Sequence, residues 1–78
     1  MVVRLTYPVI LRPEPEGGYT VRVPALPEIV TYGDNEAEAL AMAKDAIELV
    51  LESRKERGEE IPEGDRVVLR SVSVSVAA

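Results

Sequence analysis

The stretch Gly17–Pro27, with the sequence GGYTVRVPALP, encodes a turn, a strand and a corner in one short run. Gly17 and Gly18 supply the positive φ angles of a hairpin turn, and the residues after them alternate between apolar and polar as in a half-buried strand. Pro24 ends that strand because its ring removes a backbone donor, and Pro27 holds the residue before it in extended geometry. The run therefore predicts a β-hairpin followed by a stiff corner.

Two further strands complete an antiparallel meander around this run. The first strand carries an apolar face, and Pro8 inside it predicts an edge position or a bulge. A short third strand is predicted over 28–32. The apolar face of the first strand comprises Val3, Leu5, Tyr7, Val9 and Leu11.

A long helix is predicted from Glu36 to Arg57. Asn35 is the expected N-cap, Glu38 stands three residues later as in a capping box, and Gly58 ends the helix. At about 100° per residue, one apolar stripe should face the sheet, with Ala39 and Ala46 at its flanks. The stripe comprises Leu40, Ala43, Ile47, Val50 and Leu51.

A fourth strand is predicted from Arg66 to Val76, where valines alternate with serines after a polar loop. The fold class is therefore α+β, with the order β1-β2-β3-α-β4 and one helix on one face of the sheet. A right-handed crossover places the last strand beside the first, which gives the spatial order 3-2-1-4. The chain of 78 residues has room for a single domain over residues 1–78.

The chain resembles the N-terminal domain of HicB-type antitoxins over about Tyr7 to Pro62. The shared motifs are a Gly-Gly-Tyr hairpin, a Pro-x-Leu-Pro corner, a Gly-Asp before the helix, and Ala-Leu and Ala-Ile-Glu-Leu within it. This chain departs from the family pattern at Glu28-Ile29, where the family commonly has Gly-Cys, and at Asn35, where it commonly has Thr. The resemblance implies a partial ribonuclease-H-like fold.

The resemblance also implies a partner. Such antitoxins bind a small, basic ribonuclease toxin and mask its catalytic histidine. They usually continue into a DNA-binding segment, whereas this sequence stops after its predicted fourth strand, so operator binding is not expected here. Toxin neutralisation itself depends on a cognate toxin, which one sequence does not reveal.

Composition argues against catalysis and cofactors. The chain has no histidine and no cysteine, which removes the commonest general base and the commonest metal ligands. The helix carboxylates Asp45, Glu48, Glu52 and Glu56 are most simply a solvated face, and Ser71, Ser73 and Ser75 have no nearby base to activate them. We therefore expect no enzyme activity, no metal and no cofactor.

The net charge of −5 disfavours direct contact with nucleic acid and suits a basic protein partner, although on charge alone solubility is the better explanation. No run of residues is long and apolar enough for a membrane span, and no secretion signal is apparent, so a cytoplasmic location is the default.

Two sets of residues are the candidate binding positions. Met42 and Leu49 project almost opposite the predicted core stripe and form an apolar strip with Ala46 and Ser53, unless the loop carrying Ile61 folds over it. The second set is Val72, Val74 and Val76, whose strand would be an open edge without a partner and favours a homodimer or higher homo-oligomer.

The sequence thus leads to two hypotheses of different kinds. The first is a non-enzymatic, orphan or truncated antitoxin domain that masks a small basic toxin. The alternative is a stand-alone homo-oligomeric scaffold or small-ligand-binding domain with no toxin partner.

Overall fold

The computed structural model describes residues 4–64 and 67–77, and it contains a three-stranded antiparallel sheet with one helix across it. The elements are β1 (Ile10–Pro13), β2 (Tyr19–Arg22), β3 (Val30–Gly33) and α1 (Glu36–Glu56). The sheet order is β1-β2-β3, so the predicted α+β class and the meander are confirmed. Val3, predicted on the apolar face of the first strand, and Arg66, the predicted start of the fourth, lie outside the described residues.

The β1–β2 hairpin closes as the glycine pair predicted. Gly17 and Gly18 have φ angles of 103° and 78°, which side-chain-bearing residues rarely adopt. The backbone N–H of Glu14 donates to the Gly18 carbonyl at 3.0 Å. The Tyr32 hydroxyl on β3 donates to the Gly17 carbonyl at 2.9 Å, which ties the turn to the far strand of the sheet.

β1 is shorter than predicted, because it begins at Ile10 and residues 4–9 form no strand. The register pairs Ile10 with Arg22, and continued backwards it would place Pro8 opposite Pro24. Neither proline has an N–H to donate, so the ladder stops there. β1 lies at the edge of the sheet, as the proline predicted.

The corner after β2 is the centre of one core cluster. Val23, Leu26 and Ile29 are buried together, while Pro24 and Pro27 between them are exposed. Two successive turns bring the apolar residues inward, since Leu26 N–H donates to Val23 and Ile29 N–H donates to Leu26. This second turn delays β3 to Val30, two residues later than predicted.

The ends of α1 are capped by the residues that the sequence indicated. The Asn35 side chain accepts a hydrogen bond from the Glu38 N–H at 2.8 Å, and the Glu38 carboxylate accepts one from the Asp34 N–H at 3.1 Å. The reciprocal bond of a capping box would come from Asn35 itself, so Glu38 reaches one residue further back. Arg57 is the C-cap and Gly58 follows with a φ of 70°.

The helix is rotated relative to the predicted stripe. Ala39 and Ala43 are its buried residues, packed on Val21 of β2, whereas Leu40 remains 49% exposed and is not part of the core. Ala39 was expected at the flank of the stripe and instead lies at its centre. Small residues are needed there because α1 approaches the sheet most closely where it packs on β3 and β2.

The predicted fourth strand is not formed in the described residues 67–77, and the spatial order 3-2-1-4 is therefore not seen. This segment lies exposed, with no strand paired to it among the described residues. A strand requires a neighbouring edge to satisfy its backbone N–H and C=O groups, and the segment does not lie along one within its own chain.

Candidate partner-binding surface

Met42 and Leu49 are exposed on one side of α1, at 40% and 70% respectively. Ala46 and Ser53 stand beside them, half-buried. We call these four residues the helix strip. The structure thus resolves their exposure, which the sequence left open, while their role in binding a partner stays a prediction.

The loop that carries Ile61, which the sequence offered as a possible cover for the helix strip, runs elsewhere. The Tyr7 hydroxyl donates a hydrogen bond to the Pro62 carbonyl, and Gly64 passes so close to the Thr6 carbonyl that a Cβ would not fit there. Residues 62–64 are therefore held beside the segment that precedes β1. Burial around Tyr7 raises the pKa of its phenol above the ordinary value of 10.0.

A row of carboxylates borders the helix strip on its solvent side. Its members recur at intervals of seven or four residues, a spacing that keeps them on one side of a helix. We call this row the acidic stripe. It comprises Glu38, Asp45, Glu52 and Glu56, all exposed.

Arginines near the end of α1 pair with carboxylates outside the acidic stripe. Arg54 meets Glu28 at 2.7 Å, and Arg57 meets Glu59 at 2.6 Å. The hydrogen bond from Arg54 lowers the pKa of Glu28, and the hydrogen bond from Arg57 lowers the pKa of Glu59. The first pair also joins the helix to the corner after β2.

The other predicted binding residues, Val72, Val74 and Val76, are 79–86% exposed. They lie on the segment 67–77 rather than on α1, so the two predicted sets belong to separate parts of the chain. Ser71, Ser73 and Ser75 alternate with them and are exposed as well.

Sequence reasoning missed an apolar cleft on the opposite side of α1 from the helix strip. Leu40, which was assigned to the core, lines this cleft together with Tyr7 and Val9. It also missed the buried Gly33, where an added Cβ would overlap the backbone of Ala39. The Gly-Asp pair shortly before the helix start was the available signal, since a strand that enters a helix this closely leaves no space for a side chain.

Within residues 4–64 and 67–77, no group of three or more histidine, cysteine, aspartate or glutamate side chains is arranged to hold a metal ion. Over the same residues, no helix combines the length and the apolarity that crossing a membrane requires.

Comparison with known proteins identifies the family. Residues 7–73 match the family model described as the HicB_like antitoxin of bacterial toxin-antitoxin systems. The chain belongs to the HicB-like antitoxin family. This confirms the family resemblance that the hairpin, corner and helix motifs indicated.

Individual relatives of this HicB-like chain differ in length. Antitoxin HicB 1 of Photorhabdus laumondii is 45% identical over 62 residues, which is 80% of this chain and 40% of that antitoxin. Antitoxin HicB of Escherichia coli K12 is 45% identical over 58 residues, or 74% of this chain and 42% of the relative. The UPF0150 protein Ta0767 of Thermoplasma acidophilum is 43% identical over 58 residues, covering 74% of this chain and 84% of the relative. The chain thus spans about two fifths of the two antitoxins.

Proposed function

We propose that this chain is a non-enzymatic antitoxin domain that binds a small, basic ribonuclease toxin and masks its active site. The observation that carries the proposal is the helix strip lying beside the acidic stripe on the exposed side of α1. Membership of the HicB-like family supports a toxin as the partner.

The two parts of this surface would contribute differently. Burial of Met42 and Leu49 against a partner removes exposed apolar area from water and supplies affinity. The acidic stripe attracts a basic protein over a distance, raises the association rate and disfavours acidic competitors. Because α1 rests on a sheet through Ala39 and Ala43, the surface is ordered before binding, which reduces the entropy lost on association.

Masking requires no chemistry from this chain, and its composition fits that role. The sequence has neither histidine nor cysteine, and its net charge of −5 repels the phosphates of RNA. A toxin that cleaves RNA is met where RNA is abundant, so we place the complex in the cytoplasm.

The proposal is tested with the basic protein encoded in the reading frame next to this gene. Titration calorimetry measures its binding to the full chain, and a ribonuclease assay measures its inhibition. We expect tight binding that weakens as salt rises, because the charges at such an interface are screened. Absence of binding, or binding without inhibition, would refute the proposal.

Matched variants locate the surface. Leu49→Lys and Met42→Lys place a charge in the helix strip and should weaken binding at least about tenfold, or about 1.4 kcal/mol. Ala41→Lys is the control, because it makes the same change of charge at an exposed position of α1 outside the strip. Equal losses in all three variants would show that only charge matters and that the helix strip is not the contact.

A further inference from the structure

A cleft of about 650 Å³ lies between α1 and the chain that leads into β1. The helix packs over β2 and β3, which leaves the side above β1 open. Leu40 faces this cleft and is 49% exposed in the single chain. We call the cleft the edge groove. Its apolar lining comprises Leu5, Tyr7, Val9, Leu40, Ile47 and Leu51.

The outer edge of β1 borders the edge groove and offers backbone groups for a further strand. Glu14 donates to Gly18, so the even-numbered residues of β1 bond to β2 and the odd-numbered ones point outward. The N–H and the carbonyl of Leu11 therefore face away from β2. Among the described residues, no strand is paired with this edge.

The segment 67–77 has the sequence pattern of a strand that could pair with this edge. One side of it, when extended, carries Val68, Arg70, Val72, Val74 and Val76, and the other carries Val67, Leu69, Ser71, Ser73, Ser75 and Ala77. A strand added beside β1 would direct one side into the edge groove and the other to solvent. From Ser71 onwards, the side that carries the valines is apolar and fits the groove, and the side that carries the serines is polar and fits water. The segment is also long enough to run beside β1 and the residues 4–9 that lead into it.

The segment extends away from its own sheet. The molecule measures 56 Å by 26 Å by 20 Å, and its radius of gyration is 15.5 Å. A compact chain of this length would have a radius of gyration of about 11.5 Å. Residues 62–64 are held beside Thr6 and Tyr7, whereas the valines of the segment 67–77 are exposed, so a second copy can reach them.

We propose that segment 67–77 of one copy binds the edge groove of a second copy as a fourth strand beside β1. Reciprocal exchange closes a two-fold dimer in which each sheet has the order 3-2-1-4 and its last strand comes from the partner. Such pairing satisfies the open edge of β1 and buries valines that would otherwise promote aggregation. The inference does not depend on a toxin, because the edge groove and the helix strip lie on opposite sides of α1.

Sedimentation equilibrium of the full chain tests the dimer with two pairs of variants. Val74→Lys is compared with Ser73→Lys, and Leu40→Lys with Leu49→Lys, so that both members of a pair gain one positive charge. Val74→Lys and Leu40→Lys alter the two sides of the contact and should each raise the dimer dissociation constant at least tenfold. Ser73→Lys and Leu49→Lys are their controls, on the solvent side of the segment and on the helix strip, and should change it less than threefold. A monomeric wild-type chain, or equal effects within each pair, would overturn the proposal.

Cross-linking separates exchange between copies from closure within one copy. The chain contains no cysteine, so introduced thiols report only on each other. A Leu40→Cys protein is mixed with Val72→Cys, Val74→Cys or Val76→Cys proteins, and at least one mixture should form a disulfide-linked heterodimer on oxidation. Ser73→Cys mixed with Leu40→Cys should not. A double variant at positions 40 and 74 that cross-links as a monomer would show that the segment folds onto its own sheet and would refute the exchange.

Discussion

Gly33 lies directly against the first turn of α1, so that a Cβ added to it would stand 2.9 Å from the Cβ of Ala39 and closer still to the Ala39 backbone. Both residues are buried. The end of β3 and the start of α1 thus approach with no side chain between them. This contact sets where the helix rests on the sheet, and through it which sides of α1 remain exposed.

Replacing Gly33 with alanine should destabilise the fold by about 3 kcal/mol, because the new methyl group forces the strand and the helix apart. Urea denaturation followed by circular dichroism measures the loss. Gly58→Ala is the control, since Gly58 has a φ of 70° with open space around it and should cost only about 1 kcal/mol of backbone strain. Equal losses in the two variants would contradict the close approach.

The N-cap of α1 should contribute measurably to stability. Asn35→Ala removes the acceptor of the Glu38 N–H and should lower the free energy of unfolding by about 1 kcal/mol. Asn35→Asp keeps an acceptor there and should stay close to the wild type. Thermal melts of the three proteins make the comparison, and a wild-type melting temperature for the alanine variant would exclude a role for the cap.

Two valines on neighbouring strands should respond differently to truncation. Val21 on β2 is fully buried against Ala39 and Ala43, so Val21→Ala should cost about 2 kcal/mol through lost burial and a cavity. Val30 on β3 is exposed, and Val30→Ala should change stability by no more than about 0.5 kcal/mol. Chemical denaturation of both variants tests this, and similar losses would place the core elsewhere.

The ion pair between Glu28 and Arg54 should make stability depend on pH in the acidic range. Because the hydrogen bond from Arg54 lowers the Glu28 pKa in the folded state, its contribution is complete above the ordinary value of 4.5 and is lost as the pH falls below it. The wild type should therefore be more stable than Glu28→Gln at neutral pH, and the difference should shrink towards pH 3. A difference that is constant with pH would show that the pair is not formed.

The turns and caps of this fold could be predicted from short stretches of sequence. Gly17 and Gly18 in the hairpin, Pro24 and Pro27 in the corner, and Asn35 at the helix start act through the conformations of their own backbone or of residues next to them. The three-stranded meander and the single helix follow from these signals, and so does the family resemblance.

Two features were predicted less well: which residues of α1 are buried, and whether segment 67–77 forms a strand. Periodicity placed Ala43 correctly in the core, but it also placed Leu40 there, because it favours the largest apolar residues. It had no means of detecting that Ala39 lies against Gly33 and is buried instead of Leu40. The valine and serine alternation predicted a strand from Arg66 to Val76, but none forms among the described residues, because a strand requires another edge to pair with.

The sequence by itself determined the local elements of this protein, namely where the chain turns, where the helix starts and ends, and the order of the strands along it. Only the tertiary structure decided that Leu40 faces an open groove, that Leu49 is exposed on the other side of α1, and that segment 67–77 pairs with no strand in the part of the chain that the structure describes. The physical reason is one of range. Turns and caps are stabilised by neighbours in the chain, whereas burial and strand pairing depend on surfaces that meet only after the chain has folded.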